Sequence, residues 1–197
     1  MMLVGDSMEI RIARCEDAKY IQKIYEPYVK KTAITFEYEV PTVAEMQNRI
    51  EKTLKKYPYL VAIIDHQIVG YAYASAYSSR KAYDWSCELS IYIDENYHHQ
   101  GIASALYKNL FEILKVMNIQ TVYACITYPN VKSEAFHKKF GFERNAFFKK
   151  SGYKFKQWQD MIWMEKSIGN YGNVDDLIPF PTLNNNELNR ILNNDVQ

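Results

Sequence analysis

Apolar positions switch repeatedly between period two and period three to four along the first 168 residues. Residues 9–14 alternate polar and apolar, as a half-buried strand does. Ile21, Ile24, Tyr25, Tyr28 and Val29 then recur at helical spacing. Pro27 lies inside that run, and its missing N–H and bulky ring predict a kink or an end near Glu26. Thr42 and Glu45 read as a capping box opening a second helix, with Met46, Ile50 and Leu54 on one face. Residues 59–64 and 68–76 read as two strands joined across Asp65-His66-Gln67, a hairpin. A polar loop over 78–83 leads to a strand at 85–93, and then to a helix through Ala103, Leu106, Leu110, Ile113, Leu114 and Met117. A β-branched strand at 121–127, a short helix at 131–140 ended by Gly141, and strands near 143–149 and 160–165 complete the pattern.

This order predicts an α/β fold, a mixed sheet with helices on both faces. It divides the chain into a leader over residues 1–8, one domain over 9–168, and an Asn-rich tail over 169–197. The tail is expected to dock through Leu177, Ile178 and Phe180 and otherwise to be mobile. A length of 197 residues supports one domain with a sizeable core. A formal net charge of +1, with no basic stripe, argues against nucleic acid as the main partner. Three cysteines without CxxC or metal-ligand spacing predict no metal and fit a reducing compartment, the cytoplasm. No run approaches a membrane span.

Chemistry concentrates between Cys87 and Leu106. A β-prone run passes through a polar turn into a helix that starts on small residues, Gly101-Ile-Ala103-Ser104. The first turn of such a helix has N–H groups without partners and carries partial positive charge, which together suit a phosphate. Taken alone, the glycine fits close strand–helix packing equally well. On the strand before it, alternation puts Glu88, Ser90 and Tyr92 on one face, so Glu88 is an acid on a half-buried strand. Such a charge needs a partner or a purpose. Farther on, Asn130, Ser133 and His137 share one helix face.

Four spaced segments resemble the GNAT superfamily of N-acetyltransferases. His98-His-Gln-Gly101-Ile-Ala103 is similar to its phosphate-loop signature, with His98 where Gln or Arg is usual. Residues 130–142 resemble its later acetyl-CoA motif. Arg80-Lys-Ala-Tyr83-Asp84-Trp85 with Glu88, and Gly152-Tyr-Lys154 through Asp160, resemble the phosphinothricin N-acetyltransferase subgroup. The likeness spans roughly residues 10–165. It implies a sheet with a splayed parallel pair, acetyl-CoA as co-substrate, a small-molecule amine as acceptor, and a homodimer.

By resemblance, backbone around His99, Gln100, Gly101, Ile102, Ala103 and Ser104 holds the pyrophosphate. Strand residues Ile91, Tyr92 and Ile93 pair with the pantetheine arm, and an N–H near Ile91 faces the thioester oxygen. Asn130 and Ser133 bind the coenzyme. Glu88 takes the proton of the amine, and His137, where many relatives have tyrosine, returns one to the thiolate. Phe36, Arg80, Tyr83, Trp85 and Lys154 would form the acceptor pocket. For these five the plainer reading has weight too, since loop cations are commonly solvated and a tryptophan beside a strand commonly belongs to the core. Three functions stay open: direct transfer to a small amino-acid-like amine, a non-catalytic acyl-CoA sensor, and acetylation of a protein or peptide.

Overall fold

The structure is a computed structural model that describes residues 8–172 and 175–193. The leader, apart from Met8, lies outside them. The strands are β1 (Glu9–Ile12), β2 (Tyr59–Ile64), β3 (Gln67–Ala76), β4 (Ser86–Ile93), β5 (Thr121–Tyr128), β6 (Glu143–Lys154) and β7 (Gln157–Ser167). The helices are α1 (Ala18–Lys31), α2 (Val43–Leu54), α3 (Ile102–Val116), α4 (Val131–Lys139) and α5 (Asn185–Asn193). One seven-stranded sheet runs β1-β2-β3-β4-β5-β7-β6. Every pairing in it is antiparallel except β4 with β5.

Strand alternation separates two cores. Tyr59, Val61 and Tyr71 pack with Ile21, Ile24, Val29, Met46 and Ile50 beneath α1 and α2. Cys87, Leu89, Val122 and Ala124 pack with Leu106, Leu110 and Leu114 of α3 on the other face. Burying one aliphatic side chain contributes about 1.5–3 kcal/mol, so both helical layers are held chiefly by these stripes. The chain thus has helices on both faces of a mixed sheet, as its pattern predicts.

Local rules hold at several joints. The Thr42 hydroxyl accepts from Glu45 N at 3.2 Å, and Thr42 N donates to Glu45 Oε2 at 2.6 Å, completing the capping box. The β2–β3 connection is a two-residue turn, Asp65 and His66 both at positive φ, so Gln67 belongs to the strand.

Pro27 neither ends nor shortens α1, which continues to Lys31. Its far end is tied down on both sides. Val29 is buried, and the Tyr28 hydroxyl donates to Ile93 O at 2.5 Å. Those contacts offset the one backbone hydrogen bond that proline forfeits.

The tail is docked, with more structure than expected. Phe180, Leu183 and Leu188 are buried in the α3-side core, and α5 runs against α3 and β1. Ile178 N donates to Met117 O at 3.1 Å and Phe180 N to Lys56 O at 3.1 Å. Leu177 packs against the same core, while Ile178 keeps its side chain exposed.

Candidate active site

The parallel pair sets the geometry. β4 and β5 are in register only at Ser86–Thr121, Cys87–Val122 and Glu88–Tyr123, and beyond Glu88 the two strands part. The gap is a narrow slot of about 70 Å³ lined by Leu89, Ser90, Ile91, Tyr92, Ala124, Cys125, Ile126 and Thr127. Ile34 covers it from the loop after α1, and Tyr107, Asn130, Ser133 and His137 close it from the α3–α4 side.

A second cavity of about 530 Å³ adjoins the slot and shares Ile91, Ser133 and His137 with it. Its wall is the turn from Tyr97 to Ser104, together with Tyr28, Ile93, Lys132, Phe136 and Lys139. Gly101 stands at φ +84°, where an L side chain is strained, and nothing lies within 4 Å of a Cβ built on it. No side chain caps this end of α3, and the first helical bond is Ala105 N to Gly101 O. The uncapped amides and the bare glycine make an open cradle, which fits a pyrophosphate. His98 braces the turn, with Nε2 at 3.2 Å from Ile93 O and 3.3 Å from the Tyr28 hydroxyl.

Glu88 sits where the strands part. It is half-buried, and no hydrogen bond or ion pair to its carboxylate occurs among the described residues. Burial raises its pKa above the ordinary carboxylate value. Ser75 of β3 and Tyr123 of β5 are its register partners. Around that floor Tyr77 stacks on Tyr123 at 4.4 Å and meets Trp163 edge-on at 5.3 Å and Tyr83 at 5.5 Å.

His137 is only 4% exposed, and both ring nitrogens are engaged. Nδ1 lies 2.8 Å from Ser133 O, which can only accept, so Nδ1 carries the proton. Nε2 then accepts from the Tyr107 hydroxyl at 3.0 Å. Burial lowers the imidazole pKa, against an opposing hydrogen bond to the Ser133 carbonyl. The ring is therefore neutral at neutral pH, and the proton between the two rings belongs to the Tyr107 phenol, whose pKa burial raises.

Several expected side chains take other positions. Asn130 Oδ1 accepts from Ser133 N at 3.1 Å as the N-cap of α4, and the residue lines the slot. Lys154 was expected on a loop in the acceptor pocket. It ends β6 instead, 2% exposed, its ammonium donating to the carbonyls of Val29, Thr32 and Thr35 at 2.7–2.8 Å. Those three oxygens exhaust its donors, so it binds the end of α1 to the sheet. Trp85 was expected in the pocket wall. Its indole donates to Asp175 O of the tail at 2.9 Å, at the end of β4 away from the slot.

Phe36 lies flat against Gly152, whose Cβ would fall 2.2 Å from its ring, and so joins the loop after α1 to β6. Tyr83 does stand on the aromatic wall near Glu88, and Arg80 is exposed at the loop before it. The sequence reasoning missed Tyr77, Tyr107, Tyr123 and Trp163. Their signal was strand alternation from Glu88 across to β3, β5 and β7, and a helix face shared with Ser104.

The family follows from comparison with known proteins. Residues 10–163 match the acetyltransferase (GNAT) domain family. The chain belongs to the GNAT acetyltransferases. A phosphinothricin N-acetyltransferase of Streptomyces viridochromogenes is 30% identical over 161 residues, covering 82% of this chain and 88% of that protein. An L-methionine sulfoximine/L-methionine sulfone acetyltransferase of Pseudomonas paraeruginosa is 25% identical, covering 82% and 95%. The crystal structure of a GNAT phosphinothricin acetyltransferase from Sinorhizobium meliloti, in complex with acetyl-CoA, superposes with a TM-score of 0.83 at 31% identity. It covers 89% of this chain and 97% of the other. This GNAT chain is an acetyl-CoA-dependent acyltransferase.

Proposed function

We propose that the chain transfers acetyl from acetyl-CoA directly to the amine of a small amino-acid-like acceptor, of the kind represented by phosphinothricin, methionine sulfoximine or methionine sulfone. One observation carries the reading: an unpartnered, half-buried carboxylate, Glu88, stands where the two parallel strands part. The uncapped amides from His99 to Ser104 hold the pyrophosphate, and the slot between β4 and β5 takes the pantetheine arm. Ile91, Tyr92 and Ile93 lend backbone on one side, Asn130 and Ser133 side chains on the other. The Ile93 carbonyl itself is taken by Tyr28 and His98.

Glu88 accepts the proton of the incoming ammonium, either directly or through one water. Its raised pKa suits that task better than an ordinary carboxylate would. As the new C–N bond forms and the C–S bond breaks, the nitrogen sheds its second proton and the departing thiolate takes one up. The Tyr107 hydroxyl lines the slot and hydrogen-bonds that sulfur by turning its one proton away from His137 Nε2, its partner at rest. A backbone N–H near Ile91 faces the carbonyl oxygen. One such donor contributes about 3–4 kcal/mol in a site closed to water.

A covalent acetyl-cysteine is disfavoured. Burial pushes the Cys125 thiol up to about 12, and Cys87 is fully buried in the core, so neither is a thiolate near neutral pH. Arg80 and Tyr83, with Tyr77, Tyr123 and Trp163, supply the acceptor's pocket. Phe147, Phe148, Phe155 and Trp158 on the exposed β6–β7 hairpin offer an apolar face for the homodimer. Three free cysteines fit a cytoplasmic address. Among the described residues no helix is long and apolar enough to cross a membrane.

The test is thiol release from acetyl-CoA with a panel of amino-acid analogues, peptides and polyamines. Turnover with small zwitterionic amines is expected. Tight acetyl-CoA binding with no release for any amine would contradict the catalytic reading and favour a sensor.

A further inference from the structure

Strand alternation puts four tyrosines on the sheet face beneath α1 and α2: Tyr59 of β2, Tyr71 and Tyr73 of β3, and Tyr92 of β4. Tyr59 is the register partner of Tyr73, and Tyr71 of Tyr92. The paired rings stack, with centroids 4.8 Å and 5.3 Å apart, and Tyr25 of α1 meets Tyr92 edge-on at 4.9 Å. Together they wall a cavity of about 250 Å³ under α2, whose Arg49 and Lys52 stand exposed at its rim. Glu88, Arg80 and Tyr83 are not among its walls, so it lies apart from the acceptor pocket.

The hydroxyls in this wall are unevenly provided for. Tyr25 shares a hydrogen bond with Thr35 at 2.6 Å. Tyr59 and Tyr71 are each 2% exposed, yet their hydroxyls have no hydrogen-bond partner among the described residues. A buried hydroxyl without a partner is costly, and phenylalanine would supply the same ring without that cost. The two rings rise from one sheet face nearly parallel, 5.7 Å apart, so a single carboxylate can accept from both hydroxyls. Charge at the rim favours the same ligand. Glu37 pairs with Arg49 at 2.7 Å, whereas Lys52 has no ion pair among the described residues.

We propose that this cavity is a second small-molecule site, which takes an aromatic carboxylate of one ring. The carboxylate accepts from Tyr59 and Tyr71 beside the cationic rim, and the ring packs against Tyr73 and Tyr92. The volume sets the size limit, since drug-sized ligands need about 300–1,000 Å³. Tyr92 lines both this cavity and the β4–β5 slot, so the two spaces share one side chain. The site goes beyond the transferase reading and does not depend on it.

Calorimetric titration of benzoate into the full chain tests it, with acetate as the ringless control. Wild type should bind benzoate with a Kd of about 1 mM, and acetate about tenfold more weakly or worse. The Tyr59→Phe/Tyr71→Phe double variant keeps the stacked rings and removes the donors. It should weaken benzoate about tenfold or more while binding acetyl-CoA as wild type does. Should the double variant fail to fold, either single variant carries the same comparison. Arg80→Ala should leave benzoate binding unchanged. Equal affinity of wild type and the tyrosine variants for benzoate would overturn the site. So would loss of binding in Arg80→Ala, which would put the carboxylate in the acceptor pocket. No saturable binding by wild type up to about 20 mM would overturn it as well, leaving water as the hydroxyls' partner.

Discussion

Burial moves Glu88 and His137 in opposite directions, the carboxyl upward and the imidazole downward. A carboxylate that holds its proton more tightly is a better match for an amine, whereas a neutral imidazole is an acceptor that can brace a phenol. The sequence made His137 look like the acid itself. What it could not convey is that Ser133 O and Tyr107 occupy both ring nitrogens, because α4 and α3 meet only in three dimensions. The sign for Glu88 is simple. Only its ionised form can take a proton, so activity falls as pH drops through its raised pKa. The acid limb of kcat/KM should therefore lie above the ordinary glutamate value of about 4.3. A limb at or below that value would mean that another group governs the step.

The regular elements were legible because periodicity and capping are local. The Thr42–Glu45 box opened α2, and Gly141 at φ +81° closed α4, both from residues adjacent in sequence. Misreadings arose where tertiary contacts decided. Pro27 was carried through α1 by Val29 and Tyr28, and Lys154 was drawn inward by three carbonyls, of Val29 in that helix and of Thr32 and Thr35 just beyond it. The β6–β7 hairpin ran longer than its hydrophobic signal because its outer residues are exposed aromatics without alternation.

Gly101 is the element-scale test of the cradle. A Gly101→Leu change should cost about 1–2 kcal/mol of stability through its left-handed backbone. It should also weaken acetyl-CoA binding by tenfold or more, since the new side chain projects into open space that the phosphate needs. Unchanged affinity in calorimetric titration would count against phosphate binding there.

As a whole molecule, the chain is a GNAT domain completed by its own C-terminal segment. Phe180, Leu183 and Leu188 close the α3-side core beyond the residues that match the family. That side supports α3, whose N-terminus is the cradle and whose Tyr107 meets His137. Phe180 was legible as an anchor, whereas the Asn-rich composition concealed Leu183, Leu188 and α5, whose few apolar residues are spread among polar ones.

Every layer of the fold converges on one place, the divergence of β4 and β5 at Glu88. The most direct measurement is the rate of thiol release by a Glu88→Gln variant, taken alongside its acetyl-CoA affinity on the same preparation. The account predicts a loss of kcat of about 10²-fold or more with affinity preserved, because the amide keeps the shape and removes the base. Turnover equal to wild type at equal affinity would contradict it.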